Sequence, residues 1–473
     1  MKKAFKGVRL KRLREERRLT QQALASAIGI SLSYLNQLEN NQRPLTISVL
    51  LKLNAAFGVD VQVFSEDDEA RLVADLREAL SDPEVGGTVS AAELRELAVN
   101  MPALGRALVS INRRYRQAIE QSAALAARLG EDRQADTAIL PSTPYEEVRD
   151  FFYARHNYIA ELDDVAERLA EELAPSVAVT PFALTDYLKT RFDVSVAVGD
   201  GTDAVHRRFD PQNRTLYLSR RLESGQRAFQ LATQIAMLAF DRVLVALVDG
   251  AEFANQETRG LARIGLANYF AGALIMPYGR FLAEARSQRY DIDILGEAFG
   301  VGFETVCHRL STLQRPSARG VPFFFIRVDR AGNISKRQSA TDFHFSRIGG
   351  TCPLWNVYEA FASPGRIVTQ FARMPDERAY LWIARTVSHR SGGYESLSKT
   401  FAVALGCDIR HAGDLVYSRG LDIHDPALAV PIGMGCKVCE RIDCPQRAFP
   451  PIGRSLMIDE RQSLFSPYAA SKF

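Results

Sequence analysis

Apolar residues recur at helical spacing over most of the chain, and turn residues divide that pattern into blocks. Val8, Leu10 and Leu13 predict a first helix, and Thr20 caps a second over 21–28 with Leu24 and Ala25 inward and Gly29 ending it. Ser31 caps a third over 32–39, with Leu35 and Leu38 on one face and Ser33, Tyr34, Asn36 and Gln37 elsewhere. A fourth runs from Thr46 through Val49, Leu50 and Leu53 to Phe57, and Gly58 stops it. An acidic helix over 66–79 follows, then breaks at Asp82-Pro83 and Gly86-Gly87, and a capping box of Ser90 with Glu93. From 104 to 129, Leu108, Ile111, Tyr115, Ile119, Ala123 and Leu125 keep the helical rhythm among five arginines; this helix either packs on the body or pairs with another subunit. Residues 131–145 read as a loop.

The second half changes rhythm. A largely helical stretch over 148–173 precedes strands over 193–198 and 205–218, the latter folded by Pro211-Gln212-Asn213. One strongly apolar helix is expected over 225–248, another over 261–273, and a further helical segment from Leu274 to Arg286. The tail starts with a strand over 321–328, a turn over 329–333 and a return over 334–338, then segments over 364–371 and 379–386 that make a small sheet. The fold class is thus mostly α with α+β parts. Its expected domains are 1–66, 67–145, 146–315 and 316–473.

Composition adds limits. With 47% hydrophobic and 24% charged residues in 473, collagen-like, low-complexity and wholly disordered chains are excluded. The longest apolar stretch, 228–248, is interrupted by Asp241 and Arg242 and carries Gln230 and Gln234, which is too short and too polar for a membrane span. No apolar run follows the basic N-terminus, so a soluble, cytoplasmic protein with no membrane partner is expected. The net charge of +3 conceals a division: residues 1–60 hold eleven Lys or Arg against four acids, a net of +7, which leaves −4 for the remaining 413. A basic head on a mildly acidic body indicates a polyanion-binding module attached to something else.

Two short helices about a Gly turn, the second with an inward Leu pair and an outward polar face, describe a helix-turn-helix. The segment from Leu13 to Asp60 resembles the xenobiotic-response-element and phage-repressor class of DNA-binding domains, including its Thr-Gln-Gln opening and Glu-Asn-Asn-Gln-Arg-Pro exit. That resemblance implies contacts to phosphate and base from Gln21 and Gln22, and puts Ser33, Tyr34 and Gln37 against the major groove. Arg9, Arg12, Arg43 and Lys52 are candidate phosphate contacts. One such helix reads a half-site of an operator, so a homodimer or homotetramer is expected.

The order of elements in the middle, with RTLYLS, AFQLATQIAMLAF and LANYFAGALIMP, resembles the zinc metallopeptidase domain that cleaves phage repressors and bacterial stress regulators. The resemblance implies a His-Glu-x-x-His helix, but Thr233 and Met237 stand where the two His belong, Gln234 where the Glu belongs, and Gly265 or Leu266 near the third ligand. No catalytic residue remains, and the expectation is a retained cleft that binds a small molecule. Thr233, Gln234, Asn268, Tyr269 and Tyr278 are candidates to orient it, with Met237, Met276 and Phe270 for its apolar part. A second cluster, Tyr153, Arg155, Asn157 and Tyr158, suits an aromatic ring and a phosphate. Ordinary core packing competes for each of these aromatics and methionines.

The tail contains Cys436-x2-Cys439-x4-Cys444 followed by Pro445, three thiols close enough to converge on one metal or cluster. A fourth ligand comes from elsewhere; Cys352, flanked by Gly349, Gly350 and Pro353, is preferred over Cys407, which sits in an apolar run and reads as core, as does Cys307. A 4Fe–4S cluster, a structural zinc and bare thiols remain open here. GGTCPLWNVYEAF, ALGCDIRHAGDLVYSRGLD and GCKVCERIDCPQRAFPP resemble the C-terminal domain of the short-chain fatty acyl-CoA regulators, and the resemblance spans essentially the whole chain. It implies a transcriptional regulator, not an enzyme, that senses propionyl-CoA or acetyl-CoA and controls short-chain fatty acid metabolism genes. Phosphates of such a ligand need cations, for which Arg155, Arg207, Arg208 and Arg280 are candidates. A redox sensor built on the cysteines, a protease and an antitoxin-like module are the competing readings.

Overall fold

The structure, a computed structural model, describes residues 7–40, 42–57, 67–80, 89–129, 144–174, 178–199, 205–339, 352–390, 395, 398–423, 425–433, 435–436, 439, 441, 444–448 and 461. Four helices open it: α1 (Gly7–Glu16), α2 (Gln21–Ala27), α3 (Leu32–Glu39) and α4 (Ile47–Phe57). The Thr20 hydroxyl accepts from Ala23 N at 3.1 Å and the Ser31 hydroxyl from Tyr34 N at 3.2 Å, which satisfies first-turn donors of α2 and α3. Between them Gly29 sits at φ 59°, where a side chain is unfavourable. Leu10, Leu24, Ile28, Leu35, Leu38, Val49 and Leu53 close a small core. The predicted stop at Gly58 lies outside the described residues, as do the breaks at 82–83 and 86–87.

Helices α5 (Asp67–Leu80), α6 (Ala91–Asn100) and α7 (Pro102–Leu129) form a separate bundle around Leu72, Leu76, Leu94 and Ala98. The Ser90–Glu93 capping box is present. Gly105 of α7 lets the helices approach closely, for a Cβ there would stand 3.2 Å from a Leu72 methyl and 3.3 Å from a Leu76 methyl. The face carrying Leu108 and Val109 packs inward, while Leu104, Ile111, Tyr115 and Ile119 are exposed. The predicted loop ends sooner than expected, since Pro144 and Tyr145 already belong to a helix; Pro is well tolerated in its first turn.

The body runs α8 (Pro144–Ala154), α9 (Ala160–Leu173), α10 (Pro181–Phe192), β1 (Ser195–Gly199), β2 (Arg207–Asp210), β3 (Thr215–Ser219), α11 (Ser224–Ala239), α12 (Asp241–Asp249), α13 (Gln256–Ile275), α14 (Tyr278–Ser287), α15 (Ile292–Phe299) and α16 (Phe303–Leu310). The sheet order is β1-β3-β2, with β1 parallel and β2 antiparallel to β3. Two expectations change. The single apolar helix over 225–248 is two helices bent by 76°, because Phe240 leaves the helical region at φ −119°, ψ 21° and packs its ring 4.8 Å from Phe270. The helical stretch over 148–173 is also two, divided where His156 and Asn157 take left-handed φ of 50° and 57°. Among the described residues no single helix is long and apolar enough to cross a membrane.

The tail holds β4 (Phe324–Val328), β5 (Ile334–Ser339), α17 (Asn356–Ala362), β6 (Val368–Arg373), β7 (Ala379–Arg390), β8 (Ser398–Asp408) and β9 (Val430–Pro431). They make one sheet ordered β5-β4-β8-β7-β6-β9, larger than the small sheet expected because β7 and β8 extend over 12 and 11 residues. Side chains alternate across it. Phe325, Leu381, Ile383, Val403, Leu405 and Cys407 join the core of the helical body. Phe324, Ile326, Trp382, Ala384 and Ala404 face a second core with Trp355, Val357, Cys352 and Ile432.

Candidate functional site

A cavity of about 1430 Å³ opens between the helical body and the C-terminal sheet. That exceeds the several hundred Å³ typical of drug-sized ligands and leaves room for an extended one. Its walls come from α8, α11, α13, α15 and α16 on one side and from β4, β5 and β7 on the other. Apolar groups, among them Phe152, Phe229, Leu261, Ile264 and Met276, line it together with charged groups of both signs, Arg327, Lys336, Arg337 and Arg385 on the sheet and Glu223, Asp293, Glu297 and Glu304 on the helical side.

Of the predicted ligand-orienting residues, Tyr153, Asn157, Asn268 and Tyr269 line this cavity. Asn157 is 1% exposed, and its amide nitrogen has no hydrogen-bond partner among the described residues. A buried donor left unmatched is costly, and this one borders the cavity. Its left-handed backbone turn is what aims it there.

The remaining candidates are placed in contacts within the protein. Thr233 donates its hydroxyl to Phe229 O at 2.8 Å and lies 3.5 Å from Asn268 Oδ1. Gln234 accepts from Arg207 Nη1 at 2.9 Å, and Arg208 lies over the Tyr217 ring at 4.5 Å. Met237 packs against the body core. Arg155 lies over the Phe151 ring at 3.8 Å, and Arg280 donates to Ala174 O at 2.7 Å. Tyr158 accepts from Arg315 Nε at 3.1 Å, while Tyr278 accepts from Arg315 N at 2.8 Å and donates to Ala318 O at 2.9 Å.

Behind Tyr269 lies a closed polar network. The Tyr269 hydroxyl donates to Asp163 and accepts from Ile159 N at 3.0 Å. Arg309 donates to Asp163 Oδ1 at 2.5 Å and Oδ2 at 3.3 Å, to Met276 O at 2.9 Å and to Thr312 Oγ1 at 3.1 Å. Asp163 is fully buried and Arg309 2% exposed. Burial favours neutral arginine, but Asp163 and Tyr269 outweigh it and hold the guanidinium charged. Burial and the Asp163 carboxylate push the Tyr269 hydroxyl well above its usual range, and burial pushes Tyr278 up to about 12, so both stay protonated donors.

Sequence patterns missed the cationic wall. Arg327 on β4 and Lys336 and Arg337 on β5 belong to one hairpin, and the fold brings Arg385 on β7 and the imidazole of His308 on α16 beside them. Arg327 pairs with Glu304 at 2.8 Å and Arg385 with Asp293 at 2.7 Å.

The four predicted thiols border one small space on the other side of the sheet. Cys352, Cys436, Cys439 and Cys444 line it together with Gly433, Arg441 and Arg447. Gly433 N donates to Cys352 Sγ at 3.3 Å, and a Cβ on Gly433 would come within 2.6 Å of Cys439 Sγ. Arg447 donates to the carbonyls of Cys436 and Cys439 at 3.1 Å each and fixes the loop that carries them. Among the described residues no three metal-ligating side chains converge on one point, so the four thiols share a space without forming a ready coordination site. Cys407 and Cys307 are fully buried elsewhere.

On the head, Gln22, Ser33 and Arg43 are exposed, and Tyr34 and Gln37 are partly so. Arg43 lies over the Tyr34 ring at 5.7 Å. Gln21 turns inward instead: its amide donates to the buried Glu39 at 2.7 Å, beside Arg14, which donates to the same carboxylate at 2.7 Å. Lys52 donates to Gly29 O at 3.0 Å, and Arg9 and Arg12 lie on α1.

Three family models match parts of the chain, leaving residues 65–190 between the first and the second. Residues 10–64 match a helix-turn-helix, 191–311 the IrrE N-terminal-like domain, and 312–468 the short-chain fatty acyl coenzyme A regulator C-terminal domain. The HTH-type transcriptional regulator PrpR of Mycobacterium tuberculosis is 50% identical over 99% of this chain and 96% of its own length. The regulator RamB of the same species is 48% identical over 99% of both chains. A propionyl-CoA carboxylase regulator of Cereibacter sphaeroides is 44% identical over 98% of both. A solved structure of a Mycobacterium tuberculosis transcriptional regulator superposes with a TM-score of 0.67 at 52% identity, covering 69% of this chain and all of that one.

Proposed function

From the premise that this chain belongs to the short-chain fatty acyl coenzyme A regulators, a family of helix-turn-helix transcriptional regulators, we propose that it binds propionyl-CoA in the large cavity and thereby changes its hold on operator DNA. The observation that carries this reading is the 1430 Å³ cavity, lined by apolar side chains, by basic residues of the sheet and by the unmatched Asn157 donor. The thioester and acyl chain suit Phe152, Phe229, Leu261 and Met276, and the phosphates suit the arginine-rich sheet wall. The ligand acts by binding the DNA-competent and incompetent arrangements unequally. Ser33, Tyr34 and Gln37 on α3 face the major groove, with Gln22 and Arg43 beside them, in a homodimer that spans two half-sites. The domain limits follow 1–66, 67–145, 146–315 and 316–473, and the protein works in the cytoplasm.

The middle domain is not a peptidase in this reading. Thr233, Gln234 and Met237 replace two imidazoles and a carboxylate, and Gln234 is already engaged by Arg207. The test is direct: propionyl-CoA at about 100 times its Kd stabilises a single-site binder by about 2.7 kcal/mol, and operator affinity shifts with it. Differential scanning calorimetry and fluorescence anisotropy on labelled operator measure the two. No thermal shift with either propionyl-CoA or acetyl-CoA would discard the sensor reading.

A second reading rests on the four thiols around one space: a 4Fe–4S cluster held by Cys352, Cys436, Cys439 and Cys444. Such a cluster supplies a redox-active, oxygen-sensitive cofactor, while Arg447 and Gly433 shape its loop. Anaerobically purified protein is expected to be brown with about four irons per chain, and Cys439→Ser to lose most of that iron. Colourless, iron-free protein from an anaerobic preparation counts against it.

A further inference from the structure

The cationic wall of the cavity is not uniform in how its charges are matched. Arg327 and Arg385 each hold a carboxylate, and Arg309 is locked to Asp163. Lys336 is different. Among the described residues it forms no ion pair, and its ammonium stands 5.8 Å from the centre of the Phe325 ring. His308 flanks the same ring at 6.0 Å, and both residues line the cavity. The charged groups that face them are Glu304 and Arg309 from α16 and Arg327 from β4; Glu304, the one acid of the group, is spent on Arg327. Ser311 and Gln338 lie at the same place and hydrogen-bond each other at 3.2 Å.

We propose that Lys336 and His308 form an anion seat in the cavity wall, which takes a phosphate or a carboxylate of the bound ligand. This rests on the cavity being the acyl-CoA site. An excess of buried positive charge next to a void is unfavourable in the empty protein and becomes favourable when an anion enters. The titration state follows. Burial, then Arg327, brings the Lys336 ammonium down to about 8 against the pull of Glu304, and burial with Lys336, Arg309 and Arg327 keeps His308 neutral at pH 7.

The sign of the pH dependence is fixed by that state. An anion on the seat raises the Lys336 pKa toward its ordinary value, so above pH 8 binding must take up a proton. Below pH 8 the ammonium is charged in both states and affinity is flat. Between about pH 8 and 10 affinity falls by close to tenfold per pH unit, far from the second phosphate ionisation near 6. The sensor thus responds less to its ligand in an alkaline cell.

Isothermal titration of the full chain with propionyl-CoA at pH 7.5, 8.5 and 9.5, in buffers of different ionisation enthalpy, reads the uptake directly. Lys336→Gln is expected to weaken binding by about ten- to a hundredfold at pH 7.5 and to abolish the uptake, whereas Lys336→Arg keeps the affinity and loses the pH dependence. Repeating the series with 3′-dephospho-propionyl-CoA and with malonyl-CoA identifies the anion. If the seat takes the 3′-phosphate, the Lys336→Gln effect vanishes with the dephospho ligand. If it takes an acyl carboxylate instead, propionyl-CoA shows neither the proton uptake nor the Lys336→Gln effect, and both appear with malonyl-CoA alone. Tight binding to the wild type with no proton uptake, and Lys336→Gln within twofold for every ligand, overturns the anion seat but leaves the acyl-CoA reading standing. Failure of the wild type to bind any of the three ligands removes both.

Discussion

Asp163→Ala lowers the stability of the body by about 3–5 kcal/mol, the cost of leaving a buried guanidinium without its counter-charge. Arg309 is 2% exposed, and its other acceptors, Met276 O and Thr312 Oγ1, are neutral. Tyr269 loses its acceptor in the same step, which removes a hydrogen-bonded wall of the cavity. Urea denaturation measures the loss. The two tryptophans, Trp355 and Trp382, lie in the second core and give a fluorescence signal beside circular dichroism. The double change Asp163→Leu with Arg309→Met recovers much of the stability, because an apolar pair carries no unmatched charge. A loss under 1 kcal/mol for Asp163→Ala would contradict the assignment of Asp163 as the counter-ion.

Gly272→Trp is expected to weaken propionyl-CoA binding by more than a hundredfold while the fold persists. Gly272 sits inside α13 on the cavity wall, and a Cβ there meets nothing within 4 Å. Any side chain improves the helix, since glycine costs about 1 kcal/mol relative to alanine at an interior position. The indole instead projects into the cavity volume that the proposed ligand would fill. Calorimetric titration checks the affinity, and an unchanged melting temperature without ligand separates a filled pocket from a damaged one. Binding within threefold of wild type would move the ligand to another part of the molecule.

Legibility in the sequence followed locality. Thr20, Ser31, Ser90 and Gly29 act within one turn of their own position, and each stands where local chemistry puts it. The hairpin at 211–213 is local in the same sense. The break at Phe240 was invisible because an apolar residue ends the helix by packing on Phe270, a contact 30 positions away. For the cavity, residue type alone marked Tyr153, Asn157, Asn268 and Tyr269, but their neighbours Thr233, Gln234 and Tyr278 have the same chemistry and are absorbed in internal hydrogen bonds. His308, Arg327 and Lys336 carry no spacing signal, since α16 and two antiparallel strands bring them together.

The alternating sheet constrains how this scaffold diversifies. Phe324 and Phe325 are adjacent in the chain, yet one belongs to the core that contains Cys352 and the other to the core that borders the cavity. Gly406 shows how little slack that arrangement has, for a Cβ there would fall within 1.9 Å of the Phe324 ring. Enlarging a side chain on β4, β7 or β8 to suit a shorter acyl group strains the backbone that also positions the cysteine side. Residues on α11 and α13 border the cavity without that second duty. Lineages that change ligand preference are therefore channelled toward substitutions on the helices, and the strands drift slowly.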